Sequence, residues 1–254
     1  MSVKRATKPG VNQEIIITAP NFKVLSTTIV GTSIFVSNNF SQEAIDLMKT
    51  EMEKGAKAKT SKGNRAAKDF NAGYLGSMHM SEDGWFGIPA TAFRAAMIRT
   101  CSVKGIEMTR AKMCFFIEAD GYEKDRGTPL VRVTKGEPER FDSYVRNATG
   151  VADIRARARL AAGWECVLRV RYDADLFSAT TVANLVQHAG ISVGIGAGRP
   201  FSTMSAGQGW GTFEIQGSAD GDSEDKSPSE TAQAKQFDQL LSETDEPISR
   251  RHAG

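Results

Sequence analysis

Between Gly194 and Gly211 six of eighteen residues are glycine, at 194, 196, 198, 207, 209 and 211, and no other stretch restricts the possible folds as much. Glycine adopts positive φ without steric cost, and a run this dense lets a backbone approach a neighbouring backbone, or a phosphate, very closely. The flanks narrow the reading. An amphipathic stretch from Ser178 to about Ala189 precedes the run, with Val182, Leu185 and Val186 inward and Gly190 as its stop. A strand-like stretch, Gly209 to Ile215, closes it. A dinucleotide-binding loop has the reverse order, strand first and helix second, and no GxxxxGK[ST] nucleotide loop exists in the chain.

Upstream of that run, Phe22 to Val36 is rich in β-branched residues and predicts a long strand with a bulge or bend at Gly31. Ser41 is placed to cap a helix carrying Ala44, Ile45, Leu47, Met48 and Met52 and ending near Gly55. Pro89 suits the first position of a second helix, with Phe93, Ala96, Met97 and Cys101 inward and Gly105 as its end. Further strands are expected at Lys112 to Ala119, Pro129 to Val133, Val151 to Leu160 and Trp164 to Tyr172. Without insertions at about 40–86 and 120–160, the order is β, α, β, β, α, β, which predicts an α+β, ferredoxin-like (RRM-like) core. This core spans residues 21–217, after a flexible N-terminal arm at 1–20.

Residues 218–254 form a different kind of segment. From Ala219 to Gly254 nine acidic and four basic residues leave a net charge of −5, against +2 for the whole chain, so residues 1–218 carry +7. With few large apolar groups, this tail is expected to be disordered apart from a short helix around Phe237 to Leu241. An acidic tail on a basic body fits a protein whose tail competes for a basic groove or docks other proteins, and it equally fits a solubilising tail. No apolar run approaches the length of a membrane span, and the basic N-terminus leads into no secretory signal, so a cytoplasmic location is expected. Three scattered cysteines with no CxxC spacing argue against a disulfide framework or a cysteine metal site, and no cofactor is expected.

The candidate ligand-binding residues are basic. Arg155, Arg157 and Arg159 alternate with Ile154, Ala156, Ala158 and Leu160, and Arg169 and Arg171 alternate with Leu168, Val170 and Tyr172, so each strand presents its arginines on one face. Trp164, Tyr144 or Phe141 offer stacking surfaces for bases beside them. Lys54, Lys57, Lys59, Lys62, Arg65 and Lys68 form a cationic segment without acidic residues, suited to tracking phosphates. In the glycine run, Gly196, Gly198, Gly207 and Gly209 supply backbone amides and Arg199 a charge; Arg94 belongs to the same basic set. Catalytic candidates are poor. His79, near Glu82 and Asp83, is the one plausible acid or base; Asp173 and Asp175 read as turn and capping groups; no metal-ligand spacing stands out.

The segment GIPATAFRAAMIRTC, Gly87 to Cys101, together with GQGWGTFEI before the closing strand, resembles the RAMP superfamily, the ferredoxin-like RNA-binding backbone subunits of CRISPR effector complexes. Ala90 and Thr91 stand where that superfamily usually has Gly-Ser, and no position matches the backbone subunits' RNA-cleaving aspartate. The resemblance implies a non-catalytic binder of single-stranded nucleic acid, RNA or DNA, that associates with itself side by side along the strand. A nuclease of the RAMP type and a self-assembling structural protein of a phage particle are the alternatives. The sequence style also resembles small bacteriophage proteins, which implies the cytoplasm of a bacterial host.

Overall fold

The computed structural model describes residues 19–40, 42–54, 69–146, 152–202 and 207–217. The chain divides into a unit of residues 1–216 and a second of residues 217–254, of which only Gly217 is described. The expected disorder at 218–254, most of the N-terminal arm, and residues 55–68 of the cationic segment lie outside the described residues.

The described residues form an α+β protein with two antiparallel sheets. The larger sheet is centred on β1 (Phe22–Gly31) and β9 (Glu165–Asp173), paired antiparallel over nine residues from Phe22 opposite Asp173 to Val30 opposite Glu165. Strand alternation sorts their side chains. Ile29, Cys166, Leu168, Val170 and Tyr172 are buried, while Phe22, Val24, Ser26 and Arg171 on the other face are exposed. Outside β1 lies β10 (Phe213–Ile215); along the far edge of β9 run β4 (Phe115–Ile117) and β6 (Pro129–Lys135). β3 (Gly87–Pro89) and β5 (Gly121–Tyr122) both pair with β6.

Helix α3 (Ala90–Val103) buries Phe93, Ala96, Met97 and Cys101, and α5 (Ala179–His188) buries Val182, Leu185 and Val186, all in one core with the inward residues of β1 and β9. The predicted inward faces of both helices are therefore the observed ones. Ser178 caps α5 by accepting the Thr181 amide at 3.1 Å. A π-helical turn, Ala189–Val193, follows directly. Cys101, Cys114 and Cys166 are buried free thiols, and burial pushes the Cys101 thiol up to about 11.

The smaller sheet orders β2 (Phe35–Val36), β8 (Ala152–Leu160) and β7 (Glu139–Arg146). Helix α2 (Phe70–Gly76), capped by the Asp69 carboxylate, lies against β8; the Ser77 hydroxyl just beyond it accepts the Ala158 amide at 2.7 Å. Helix α1 (Gln42–Lys54) covers most of the helix expected from Ser41 to Gly55, yet Met48 and Met52 on it are exposed.

Two expected strands are corrected. The run from Phe22 to Val36 is two strands, because the chain breaks at Thr32–Ile34 and β2 joins the smaller sheet. Of the run from Lys112 to Ala119, the first part is the end of helix α4 (Met108–Cys114): Ala111 and Cys114, one turn apart, are buried, and Lys112 and Met113 between them face solvent. The Gly31 break has a cause in packing. A Cβ at Gly31 would stand 1.9 Å from Nε1 of the fully buried Trp164 indole, whose N–H donates to the Ser33 carbonyl at 3.0 Å. Trp164 is thus a core residue and not a stacking surface for bases. It meets Phe35 and Phe213 edge-on at ring separations of 6.0 and 6.3 Å, so one side chain ties β2, β9 and β10 together.

A Gly31→Ala substitution forces the indole or the strand to move and is expected to destabilise the fold by about 3 kcal/mol. Urea denaturation checks this; a loss under about 0.5 kcal/mol, the range of ordinary surface changes, would contradict the close approach.

Candidate functional site

The glycine run, helix α3 and the Phe35–Asn38 segment enclose a pocket of about 270 Å³. Successive small residues on one face of α3, Ala92, Ala95 and Ala96, leave space beside the loop, and Arg99 follows on that face one turn later. The loop side is formed by Val193 to Gly196, Arg199 and Phe201. All six glycines of the run have positive φ, and the conformation is imposed by crowding: a Cβ at Gly196 would stand 2.7 Å from the Val36 carbonyl oxygen, and one at Gly211 1.8 Å from that of Ile195.

Much of the loop's hydrogen bonding is spent internally. Ile195 donates to Gly211, Ala197 to Val36, Gln208 and Trp210 to Gly198, and Gly211 to Ile34, at 2.7–3.1 Å. These bonds fix the loop against the Ile34–Val36 segment, and the loop in turn brings two arginines to the pocket. The Arg99 guanidinium lies 4.1 Å from the centre of the Phe201 ring, and its Nε is buried without a hydrogen-bond acceptor among the described residues. Arg199 donates from Nη1 to the Gly196 carbonyl at 3.1 Å. Among the described residues no Asp or Glu lines the pocket. Two cations therefore border a cavity that is lined otherwise by Asn38 and by small and apolar residues, with no counter-charge among the described residues, which is the electrostatic requirement for holding an anion.

The remaining predicted residues fall into three groups. Lys54 ends α1, and Lys57, Lys59, Lys62, Arg65 and Lys68 lie outside the described residues. Arg94 is tied into the fold: its guanidinium donates to the Phe115 carbonyl at 2.8 Å and to the Lys112 carbonyl at 2.5 Å. The two arginine-bearing strands belong to different sheets, β8 to the smaller and β9 to the larger. On β8, Arg155 pairs with Asp153 at 3.5 Å and Arg159 with its cross-strand neighbour Glu139 at 3.0 Å. Arg157 is half-buried, and burial, then the charge of Arg155, holds it below the ordinary arginine value. On β9, Arg169 is neutralised by Asp120 at 2.5 Å and Glu118 at 3.8 Å. Arg171 rests over the rings of Phe22 and Phe116. Tyr144 is exposed, and Phe141 packs edge-on to Trp210 at 5.5 Å. Gly207 and Gly209 lie at the far end of the run, with a Cβ at Gly207 only 2.4 Å from the Arg199 carbonyl oxygen and open space at Gly209.

His79 is buried, and its partner is Glu123 rather than the exposed Glu82 or Asp83: Nδ1 lies 3.1 Å from Glu123 Oε1. Asn39 donates to the same oxygen at 2.8 Å and to the Met78 carbonyl at 3.1 Å, while Arg126 donates to the Asn39 side chain and the Phe40 carbonyl. This arrangement clamps the 77–81 and 121–127 segments to Asn39. Burial lowers the His79 pKa, outweighing Glu123, which raises it. Among the described residues no cluster of three or more His, Cys, Asp or Glu is placed to hold a metal, and no helix is long and apolar enough to cross a membrane. Sequence reading missed Arg99 and Glu123. The helical spacing from Ala92 through Ala95 and Ala96 to Arg99 marks the first; nothing local marks the second, 44 residues from its histidine.

No protein-family model and no curated protein matches the chain.

The lowered His79 pKa carries a pH signature. The unfolded chain takes up a proton near 6.5 that the folded one refuses until lower pH, so folding stability falls as pH drops below about 6.5 and levels off below the folded value. A His79→Gln variant, which keeps a hydrogen bond to Glu123, should flatten that part of the profile in urea denaturation between pH 7.5 and 5. An unchanged profile would contradict the buried neutral histidine.

Proposed function

We propose that this protein is a non-catalytic binder of single-stranded nucleic acid, with a ferredoxin-like core related to the RAMP superfamily. Strand order supports the core: β10, β1, β9 and then β4 with β6 run antiparallel, with α3 between β1 and β4 in sequence and α5 between β9 and β10. That is the 4-1-3-2 order of a split β-α-β pair, with both helices in the one core.

The observation that carries the binding function is the pair Arg99 and Arg199, which line one pocket with no acidic residue beside them among the described residues. A buried guanidinium nitrogen without an acceptor is costly, and a phosphate oxygen supplies the missing partner. The apolar floor of Phe35, Ile88 and Ile195 admits a sugar or base but discriminates little by hydrogen bonding, which suits binding with weak sequence preference. Self-association along the strand, and docking of other proteins by the acidic tail, belong to the same proposal and rest on the resemblance and the charge asymmetry.

Fluorescence anisotropy with a labelled single strand tests it. Arg99→Met, which keeps the stem that packs on Phe201, combined with Arg199→Ala should weaken binding about tenfold or more, since charge-assisted hydrogen bonds are worth roughly 1.5–3 kcal/mol. The slope of log affinity against log salt should fall by about 1.4, at roughly 0.7 per lost phosphate contact. Wild-type affinity and slope in the folded double variant would remove the pocket from the interface.

A further inference from the structure

The face of the larger sheet turned away from α3 and α5 carries a cluster that the pocket does not use. Phe22 on β1 and Phe116 on β4 meet edge-on with centroids 6.0 Å apart. Between them on β9 stands Arg171, cross-strand partner of both Val24 and Phe116, with its guanidinium 5.7 Å from the Phe22 ring and 5.1 Å from the Phe116 ring. Phe22 is 40% exposed and Val24 49%. Neighbouring Arg169 is neutralised by two carboxylates, whereas Arg171 makes no ion pair among the described residues. Phe116 is half-buried, with the Arg94 guanidinium also 5.0 Å from its ring, so the open part of the cluster is Phe22, Val24 and Arg171, an exposed apolar surface beside an unpaired cation that asks for an occupant.

The chemistry narrows that occupant. A protein core or a second apolar sheet would bury the Arg171 charge without a counter-ion, at a cost of several kcal/mol. A lone phosphate would satisfy the guanidinium and leave the exposed Phe22 ring wet. An unpaired nucleobase on a phosphodiester strand meets both demands, with its flat face on the rings and its phosphate on the cation.

We propose that Phe22, Phe116 and Arg171 form a stacking platform on the open face of the larger sheet for an unpaired base of the bound strand. This rests on the nucleic-acid reading above and adds a base-dependent contact to the phosphate-dependent one at Arg99 and Arg199.

The test separates the two. Affinity is measured for a thymidine or uridine oligomer and for an abasic sugar-phosphate strand of equal length, using the wild type, Phe22→Ala and Phe22→Trp. Phe22→Ala should weaken binding of the base-bearing strand about tenfold or more, leave the abasic strand unchanged, and Phe22→Trp should restore the loss. A thermal melt confirms folding, and Phe22 lies at the exposed start of β1, where truncation removes little buried area. Equal affinity of Phe22→Ala and wild type for the base-bearing strand, or an equal loss on both strands, overturns the platform while the pocket stands. A free-protein dimer in light scattering that Phe22→Ala dissolves assigns the face to a second copy and likewise overturns it. Absence of binding by any strand to the wild type overturns both readings.

Discussion

Trp164 set against the bare backbone of Gly31 is the contact on which the rest of the described structure depends. Because residue 31 lacks a side chain, the indole occupies the space a Cβ would fill, and just beyond this point the chain leaves the larger sheet and enters the smaller one as β2. The backbones lock the same point: Gly31 donates to the Trp164 carbonyl, and Gly163 donates to that of Gly31, both at 2.7 Å. The indole edge reaches Phe213, which in turn meets Phe93 of α3 edge-on at 5.6 Å. A single aromatic chain thus links the two sheets and the helix that carries Arg99.

The glycine run depends on that frame. Its amides dock on Ile34 and Val36, the residues that Gly31 and Trp164 place, and this docking carries Arg199 and Phe201 up to α3. Crowding at Gly196 and Gly211 fixes the backbone at those two points, and Arg199 is tied back to the Gly196 carbonyl while Arg99 packs on Phe201. An anion bound by this pair, as proposed, would avoid much of the ordering cost that a mobile basic loop would incur. The proposed platform on the other face would gain from a firm backbone, since Phe22 and Arg171 sit on the longest strand pair among the described residues.

What could be read in the sequence was whatever one element decides alone. The inward residues of α3 and α5 follow the helical period, and those of β9 follow strand alternation, so the larger sheet and its two helices were legible. Elements that owe their form to partners were not. β7, with Glu139, Arg140 and Asp142, is as charged as a loop and is a strand because β8 pairs with it over eight residues. Residues 112–114 have strand-like composition but are helical because Ala111 and Cys114 share a buried face. The arginines show the same division. Their alternation was legible, but whether each keeps its charge free was not: Glu139 reaches Arg159 across the hairpin, and Asp120 reaches Arg169 from 49 residues away. Arg94 and Arg99 share one helix but lie five residues apart on different faces, so the first meets the carbonyls of Phe115 and Lys112, distant in sequence, and the second meets the pocket.

Photo-crosslinking tests the central claim most directly. A single strand carrying 4-thiouridine or 4-thiothymidine would be bound to the intact protein, irradiated, and its adducts located by mass spectrometry of the digested chain. The account predicts adducts on the peptides that hold Arg99 and residues 193–201, suppressed by excess unlabelled strand and by high salt. A strand that crosslinks only to other surfaces, or not at all under conditions where a known single-strand binder reacts fully, would contradict it.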